Sequence, residues 1–404
     1  MNKFEKLGIS KEILKTITEK GFENPTEIQE KSIPVILKGN DLIAGSATGS
    51  GKTLAFSCAI IEHCEKGQGV QSIVLTPTRE LCVQITKEMQ LFSKYKGLKI
   101  TPIYGGVSIN PQMDDLTTTD VVIGTPGRVL DHLSRGTLDL SKVRVAVLDE
   151  ADRMLDMGFI DDVKQILGEC PQDKQTLLYS ATISTDIYEI AEQYMNNPKK
   201  TSVESYVDPS LLKQVYYDVP MNLKFSLLVH LMKNEHSGLI MVFCNTQRTT
   251  SFVAKNLQKN GIKAIAIHGG LSQAKRNRSM DDFKDGDAFV LVCTDVAARG
   301  LDIKDVSHVY NYDTPKESKQ YIHRIGRTAR AGSEGIAINL LSSSDHENFD
   351  RVLRDNSTVH IEHIETPEIQ QVRVIRVEND RGRNFHRRGN NNRRPNNNHR
   401  RGNY

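Results

Sequence analysis

Ten short apolar runs, rich in valine, isoleucine and leucine, recur along this chain and are separated by stretches long enough for helices. The runs lie at 41–45, 72–76, 120–124, 143–148 and 176–180, and then at 238–244, 263–268, 288–293, 306–312 and 335–341. Runs that are apolar on both faces and alternate with helices are typical of a parallel sheet covered on each side. A chain of 404 residues with two such series therefore predicts two α/β domains.

The segment between the two series is polar and carries prolines, and it has no apolar periodicity until Leu211. We place the domain boundary in this short linker. The predicted domains are residues 1–205 and 213–366, followed by a flexible tail at 367–404.

The tail is Arg/Asn-rich from residue 381. Residues 381–404 contain eight arginines and no acidic residue, so this segment carries +8; the whole chain carries +3, which leaves about −5 for residues 1–380. A segment of this composition buries too little apolar surface to offset the entropy of ordering, so we expect it to be disordered. Arginine among Asn, Gly, His, Phe and Tyr is typical of a nonspecific nucleic-acid tether; the alternative is a solubilising tail or one that binds acidic partners.

The remaining composition argues against several protein classes. No apolar run approaches eighteen residues and the first ten residues lack an apolar core, so neither a membrane span nor a secretory signal is expected. The six cysteines are scattered without a C-x-x-C pair, which favours buried thiols over disulfides or zinc. We expect a cytoplasmic protein that does not bind membranes and is a monomer.

A phosphate-binding loop is indicated by the stretch GSATGSGKT, which follows an apolar run and enters a predicted helix. Glycine lets backbone N–H groups surround phosphate oxygens, a lysine reaches the β- and γ-phosphates, and a Thr hydroxyl holds Mg²⁺. A flexible Gly/Ser loop is the alternative, and Ser46 departs from the strict pattern, which has glycine there. The residues predicted to bind ATP are Ser46, Ala47, Thr48, Gly49, Ser50, Gly51, Lys52 and Thr53.

Three carboxylates within four positions end the apolar run VAVL, in the order Asp149, Glu150 and Asp152. Carboxylates this close repel one another, so a nearby cation is expected. Alone, such a cluster could be a solvated helix start. Beside a phosphate-binding loop, Asp149 is expected to hold Mg²⁺ together with Thr53, and Glu150 to orient and deprotonate the attacking water.

Nine blocks of sequence then match one family in its own order. They read GFENPTEIQ (21–29), SATGSGKT (46–53), PTREL (77–81), TPGR (125–128), DEAD (149–152), SAT (180–182), VFCNT (242–246), TDVAARGLD (294–302) and HRIGRTARAG (323–332). Over residues 1–365 the chain resembles the DEAD-box ATP-dependent RNA helicases of superfamily 2. The resemblance implies two tandem RecA-like domains and the cofactors ATP and Mg²⁺. Ser46 and Gly270 depart from the family's usual residues.

The resemblance also implies roles in nucleotide binding. Gln29 would bond the adenine edge, with Phe22 packing on the base, and Asp302 would contact the ribose. Arg327 and Arg330 would reach the γ-phosphate from the second domain. With Arg324 they recur at i, i+3 and i+6, and would share a face if the segment were helical.

Further roles concern coupling and RNA. His323 would couple the nucleotide to the first domain, while Asp152, Ser180 and Thr182 would link the metal site to RNA. The candidate RNA contacts in the core are Arg79, Gly106, Thr125, Arg128 and Thr294, and those in the tail are Arg381, Arg383, Arg387 and Arg388. The core residues adjoin predicted strand ends, where open α/β sheets bind ligands, and they suit sugar–phosphate contacts with little sequence preference.

Two functions from different classes fit these observations. One is an RNA-dependent ATPase that unwinds short duplexes and remodels RNA or ribonucleoproteins. The other is a non-processive RNA clamp in which ATP sets the residence time. Unwinding of DNA is disfavoured by the resemblance alone. The tail is compatible with partners in ribosome assembly, although that does not follow from it.

Overall fold

Two seven-stranded parallel sheets dominate the computed structural model of this chain. The structure describes residues 3–46, 49–202, 211–234, 238–298, 303, 306–329, 334–356 and 360–375. Each sheet has helices on both faces. The strand order of the second sheet repeats that of the first with every number raised by seven, so the described chain is a tandem pair of one α/β topology.

The first unit is built on a sheet of order β3-β4-β2-β5-β6-β1-β7. Its strands are β1 Leu42–Gly45, β2 Ser72–Leu75, β3 Ile100–Ile103, β4 Val121–Gly124, β5 Val145–Asp149, β6 Gln175–Ser180 and β7 Lys199–Ser202. A 3₁₀ turn, Lys3–Leu7, precedes the helices α1 Lys11–Glu19, α2 Glu27–Ile36, α3 Lys52–His63, α4 Arg79–Phe92, α5 Asn110–Leu116, α6 Pro126–Ser134, α7 Ala151–Asp156, α8 Ile160–Gly168 and α9 Thr185–Tyr194.

The second unit has the order β10-β11-β9-β12-β13-β8-β14. Its strands are β8 Leu212–Asp218, β9 Leu239–Phe243, β10 Ala264–Ile267, β11 Val290–Cys293, β12 Val306–Asn311, β13 Gly335–Leu341 and β14 Glu362–His363. Its helices are α10 Lys224–Asn234, α11 Gln247–Lys259, α12 Gln273–Lys284, α13 Asp295–Ala298, α14 Ser318–Ile325 and α15 His346–Asp355.

All ten apolar runs form strands, which confirms the predicted fold class. Four strands were not anticipated, and each lies at or next to a sheet edge. β3 contains Pro102, β7 is polar and mostly exposed, and β14 has two residues, while β8 alternates buried and exposed positions. Edge strands bury less apolar surface, so their sequences lack the continuous apolar run that marked the others.

The first residues of the predicted tail, 367–375, pack against the second unit. Ile369 and Val372 pack against the second apolar core, the Val372 N–H donates to Ser226 Oγ at 3.1 Å, and the Ile375 N–H donates to Asn256 Oδ1 at 2.7 Å. These contacts hold 367–375 against the second unit, whose end was predicted at residue 366. The Arg/Asn-rich part from 381 lies outside the described residues.

Both apolar cores lie between sheet and helices. The central strands β1, β2, β4 and β5 are fully buried, and Phe4 packs into the first core from the 3₁₀ turn. No helix within the described ranges is long and apolar enough to cross a membrane.

The cysteines give a direct test of these cores. All six are buried and free, as predicted, and burial raises the pKa of the Cys64 and Cys170 thiols to about 12, with the other four raised as well. At pH 8 the native thiols are therefore protonated and shielded. We expect native protein to react very slowly with DTNB and unfolded protein to titrate all six thiols. Rapid reaction of several thiols without denaturant would contradict the described packing.

Candidate nucleotide and nucleic-acid site

Three neighbouring strands end at one place in the first unit. β5, β6 and β1 are adjacent and parallel, and they deliver the DEAD segment, the SAT segment and the phosphate-binding loop to the same edge. The Ser46 N–H donates to the Ser180 carbonyl at 2.8 Å, which joins the start of the loop to the end of β6. The carboxyl edge of an open parallel sheet is where ligands bind in such folds.

Lys52 is the cation that the carboxylate cluster requires. Its Nζ lies 2.7 Å from Asp149 Oδ1, and the two side chains are 6% and 0% exposed. The same oxygen also accepts the Glu150 N–H at 3.0 Å. A buried charge is costly unless it is paired, so this contact holds both residues in a dry site.

The other oxygen of Asp149 fits a magnesium ion. Oδ2 is buried and has no hydrogen-bond partner among the described residues, and the hydroxyls of Ser46 and Ser50 share that condition. Thr53 is half-buried at the second position of α3. Mg²⁺ prefers oxygen ligands and is usually held by one or two carboxylates plus phosphates and water. No group of three or more His, Cys, Asp or Glu suited to a metal occurs in the described part of the chain.

The amide of Gln29 braces the phosphate-binding loop. Its Nε2 donates to the Gly51 carbonyl at 2.9 Å, and its Oε1 accepts the Thr26 N–H at 3.0 Å in a capping box at the start of α2. The Thr26 hydroxyl donates to the Ser50 carbonyl at 2.7 Å. Each end of the Gln29 amide keeps capacity for one more bond, so contact with adenine is compatible with this brace. Phe22 is 43% exposed, as a base-stacking surface requires.

Glu150 has a left-handed backbone, φ 53° and ψ 51°, and is 4% exposed. Its Oε2 pairs with Arg153 Nη1 one turn later in α7. Non-glycine residues rarely adopt this conformation, and such strain clusters at functional sites. The cluster therefore has two cations, one for each of its first two carboxylates.

The third carboxylate, Asp152, contacts the SAT segment. Its Oδ2 accepts the Thr182 N–H at 2.9 Å and the Thr182 hydroxyl at 3.1 Å, and its own N–H donates to Ser180 Oγ at 3.1 Å. The structure thus brings together the three residues expected to couple the metal site to RNA.

The candidate RNA contacts of the first unit follow β2, β3 and β4, the other half of the same edge. A Cβ added at Gly106, φ 80°, would overlap the Arg79 guanidinium. Arg128 donates to the Val107 carbonyl at 3.0 Å and to Gln112 Oε1 at 3.1 Å, which fastens the glycine loop to α6. Thr125 occupies the N-cap position of that helix. The phosphate-binding loop and the DEAD and SAT segments therefore follow β1, β5 and β6, and the residues of this unit predicted to bind RNA follow β2, β3 and β4, all at the carboxyl ends of the strands.

In the second unit, Thr294 follows β11, while His323 and Arg327 adjoin the end of α14. The condition for a shared helical face is not met at Arg327, because α14 ends at Ile325 and Arg327 lies in the turn beyond it. Arg324 instead points into the unit and is 1% exposed.

The two units touch through charged side chains. Glu80 of α4 accepts from Gln273 Nε2 at 3.1 Å and pairs with Arg276 Nη2 at 3.0 Å, both on α12. This contact joins the half of the first edge that carries the RNA candidates to the second unit.

Some predicted site residues lie outside the described residues, so their placement is not tested. They are Ala47, Thr48, Asp302, Arg330 and the tail residues Arg381, Arg383, Arg387 and Arg388.

Family models match both halves of the chain: that of the DEAD/DEAH box helicases covers residues 26–190, and that of the helicase conserved C-terminal domain covers 223–332. The DEAD-box ATP-dependent RNA helicase CshA of Geobacillus kaustophilus is 44% identical over 346 residues, which are 85% of this chain and 74% of that protein. The chain belongs to the DEAD/DEAH box helicase family. The family and fold predicted from the motifs are thereby confirmed.

Solved structures of the same family resemble this chain. Saccharomyces cerevisiae Dbp5 bound to RNA and ADP BeF3 superposes with a TM-score of 0.82 at 32% identity, covering 91% of this chain and 96% of that one. A point variant of Dbp5 bound to Nup159, a variant of Gle1, IP6 and ADP superposes with a TM-score of 0.63. It is 31% identical, and the superposition covers 89% of this chain and 96% of that one. The arrangement of the two units in this chain thus resembles that of Dbp5 with RNA and ADP BeF3 more closely than that of the Dbp5 variant with Nup159 and Gle1.

Sequence reasoning missed several residues of this helicase site. Thr26 lies within the block at 21–29 and Arg153 directly follows the DEAD block, and their roles could have been found from the capping box and from the need to pair Glu150. Gln112 and the role of Arg324 carried no comparable signal, because their partners are far away in sequence.

Substitution of Gly51 tests whether the contact of Gln29 with the phosphate-binding loop matters for ATP binding. The φ of Gly51 is 89°, and an added Cβ would lie 2.5 Å from Gln29 Nε2, whereas at Gly67, φ 77°, a Cβ would meet nothing within 4 Å. Both alanine variants carry backbone strain of about 1–3 kcal/mol, but only Gly51→Ala also displaces the brace, so we expect its ATP affinity to fall about tenfold or more. A fluorescent-nucleotide titration measures this. Equal affinities for Gly51→Ala and Gly67→Ala would contradict the brace.

Proposed function

We propose that this chain is an RNA-stimulated ATPase that separates short RNA duplexes by closing its two units over ATP and one RNA strand. The carrying observation is the buried pair of Lys52 and Asp149 beside the phosphate-binding loop, in which one Asp149 oxygen has no partner among the described residues. In this proposal residues 1–205 and 213–366 are the two domains that move together over the ligands. Ribonucleoproteins are further targets that the enzyme would remodel.

ATP binding would use the groups of the first edge. Lys52 would exchange Asp149 for the β- and γ-phosphates, and backbone N–H groups of the loop would surround the remaining phosphate oxygens. Gln29 and Phe22 would hold the base. Mg²⁺, held by Thr53 and Asp149, would neutralise charge on the phosphate oxygens.

Hydrolysis would depend on the second unit. Glu150 would accept the proton of the attacking water, and Arg327 and Arg330 would stabilise the charge that develops on the γ-phosphate. An arginine supplied in this way is worth about 10³–10⁵ in rate, so turnover would be slow unless the units are together. The Glu80 contacts to Gln273 and Arg276 support a closed arrangement, as does the TM-score of 0.82 with RNA-bound Dbp5.

RNA would lie across the other half of the edge. Arg79, Gly106, Thr125 and Arg128 would contact its backbone from one unit and Thr294 from the other, which is why sequence preference should be small. Asp152, Ser180 and Thr182 would transmit the state of the nucleotide, with His323 acting across the interface. Because linkage is reciprocal, RNA should tighten ATP by the factor by which ATP tightens RNA.

The test uses a short RNA duplex, ATP and matched DNA. We expect ATP-dependent strand displacement and ATP turnover stimulated by RNA but not by DNA, since contacts to the 2′-OH distinguish the two. Lys52→Ala should lower stimulated turnover at least about a hundredfold, the scale for losing one preorganised charge. Lys38→Ala, at an exposed lysine, is the matched control.

Each other outcome has a distinct meaning. Full activity of Lys52→Ala would refute the nucleotide site. RNA-stimulated turnover without strand displacement would make the protein an ATP-gated RNA clamp. Equal stimulation by DNA would refute the preference for RNA.

We also propose that the segment 381–404 tethers structured RNA. Engagement of its eight arginines with RNA phosphates, at the slope of about −0.7 per contact known for single strands, would give a salt slope of about −5 to −6 in log K against log salt. Deleting the segment should remove that slope from RNA binding measured between low and moderate salt. A variant with all eight arginines replaced by lysine should retain it, and an unchanged slope on deletion would argue for a solubilising tail.

A further inference from the structure

Arg324 is the largest fully buried side chain among the described residues. It is the penultimate residue of α14, and its side chain is 1% exposed. A guanidinium removed from water in this way is stable only when its donors are satisfied.

All five N–H donors of Arg324 are used. Nε and Nη2 form a two-pronged pair with the Asp295 carboxylate, both at 2.7 Å, and Nη2 also donates to Asn245 Oδ1 at 2.9 Å. Nη1 donates to Asn311 Oδ1 at 3.1 Å and to the Asp313 carbonyl at 2.6 Å. The fork geometry of arginine matches this set, whereas the point charge of lysine cannot.

The partners lie at the carboxyl ends of three adjacent strands. Asn245 follows β9, Asp295 follows β11, and Asn311 and Asp313 end and follow β12. We call Arg324 and these four partners the Arg324 network. One side chain of α14 therefore fastens three separate loops.

Two proposed functional elements adjoin the Arg324 network. Asp295 directly follows Thr294, the RNA-contact candidate of this unit. On the other side, the Arg327 N–H donates to the Arg324 carbonyl at 3.0 Å, so the turn that carries Arg327 starts on the residue that holds the loops. The RNA-facing loops and the Arg327 turn are thus connected by a single side chain and its own backbone.

We propose that Arg324 is a positioning residue that keeps the RNA-facing loops and the Arg327 turn in one fixed arrangement, so that RNA held by the loops places Arg327 at the nucleotide. This inference rests on the proposed function and adds the residue that couples its two ligands within the second unit. Coupling of this kind needs an element whose position both ligands influence.

If Arg324 only stabilises the fold, the expected effect of its loss on RNA stimulation is different. The loss would then lower the fraction of active protein, and the remaining molecules would need the same RNA concentration for half-maximal stimulation. Loss of positioning instead changes that concentration and lowers turnover at saturating RNA while ATP binding to the first unit stays unchanged.

The experiment uses the full chain with three substitutions. Arg324→Lys keeps the charge but loses the fork. Asn245→Ala, at an exposed residue, removes one Arg324 bond and the Asn245 bond to the Thr314 carbonyl, 2.7 Å, so it is not expected to unfold the protein. Asn260→Ala, at the residue that follows α11, removes bonds to the Asn256 and Arg373 carbonyls and is the matched control.

We expect Asn245→Ala to raise the RNA concentration for half-maximal ATPase stimulation about fivefold or more, and Arg324→Lys to raise it further and lower saturated turnover about tenfold or more, the scale of coupling energies. Nucleotide affinity without RNA and, for Asn245→Ala, the thermal midpoint should match the control. The double variant should be no worse than Arg324→Lys alone, because both act on the same network.

Unaltered RNA dependence in folded Asn245→Ala would overturn the inference, whether or not Arg324→Lys folds. Absence of RNA-stimulated turnover in the unsubstituted protein would instead overturn the proposed function, and the Arg324 role with it. The two failures are therefore distinguishable.

Discussion

The buried contact between Lys52 and Asp149 sets the conditions for the rest of the first unit. It joins the helix after β1 to the end of β5, across the end of β6, and leaves one carboxylate oxygen without a protein partner among the described residues. A lysine and an aspartate this deeply buried are held at the cost of desolvation. A triphosphate with its metal would supply both with stronger partners, so the site is arranged for a ligand that carries negative charge and a cation together.

Two kinds of functional group lie at the carboxyl ends of the strands in the first sheet, and each kind occupies its own set of strands. Strands β5, β6 and β1 present carboxylates and the phosphate-binding loop, whereas β3, β4 and β2 present arginines and a tight glycine loop. Asp152 and Thr182 lie on the nucleotide half, and Glu80 extends from the RNA half to the second unit. Because each half uses its own strands, the coupling that we propose between the two ligands would pass through polar, directional contacts such as that of Asp152 with Thr182.

The second unit repeats the topology but uses its edge differently. Where the first unit has Lys52 and Asp149, the second has Arg324, whose donors are all occupied by protein. A saturated guanidinium holds loops still and leaves no donor for a ligand. This difference fits a division in which one unit binds the nucleotide and the other presents Arg327 to it.

The sequence by itself determined the fold class and the order of the motifs, and it predicted the phosphate-binding loop, because continuous apolar runs and glycine-rich loops are local patterns. Edge strands such as β7 could not be predicted from the sequence, since they bury little apolar surface. Only the tertiary structure decided that Gln29 braces Gly51, that Arg153 pairs with Glu150 and that Arg324 holds three loops. Contacts such as Arg324–Asn245, 79 positions apart, depend on how the strands are ordered in the sheet, and no local pattern encodes that order.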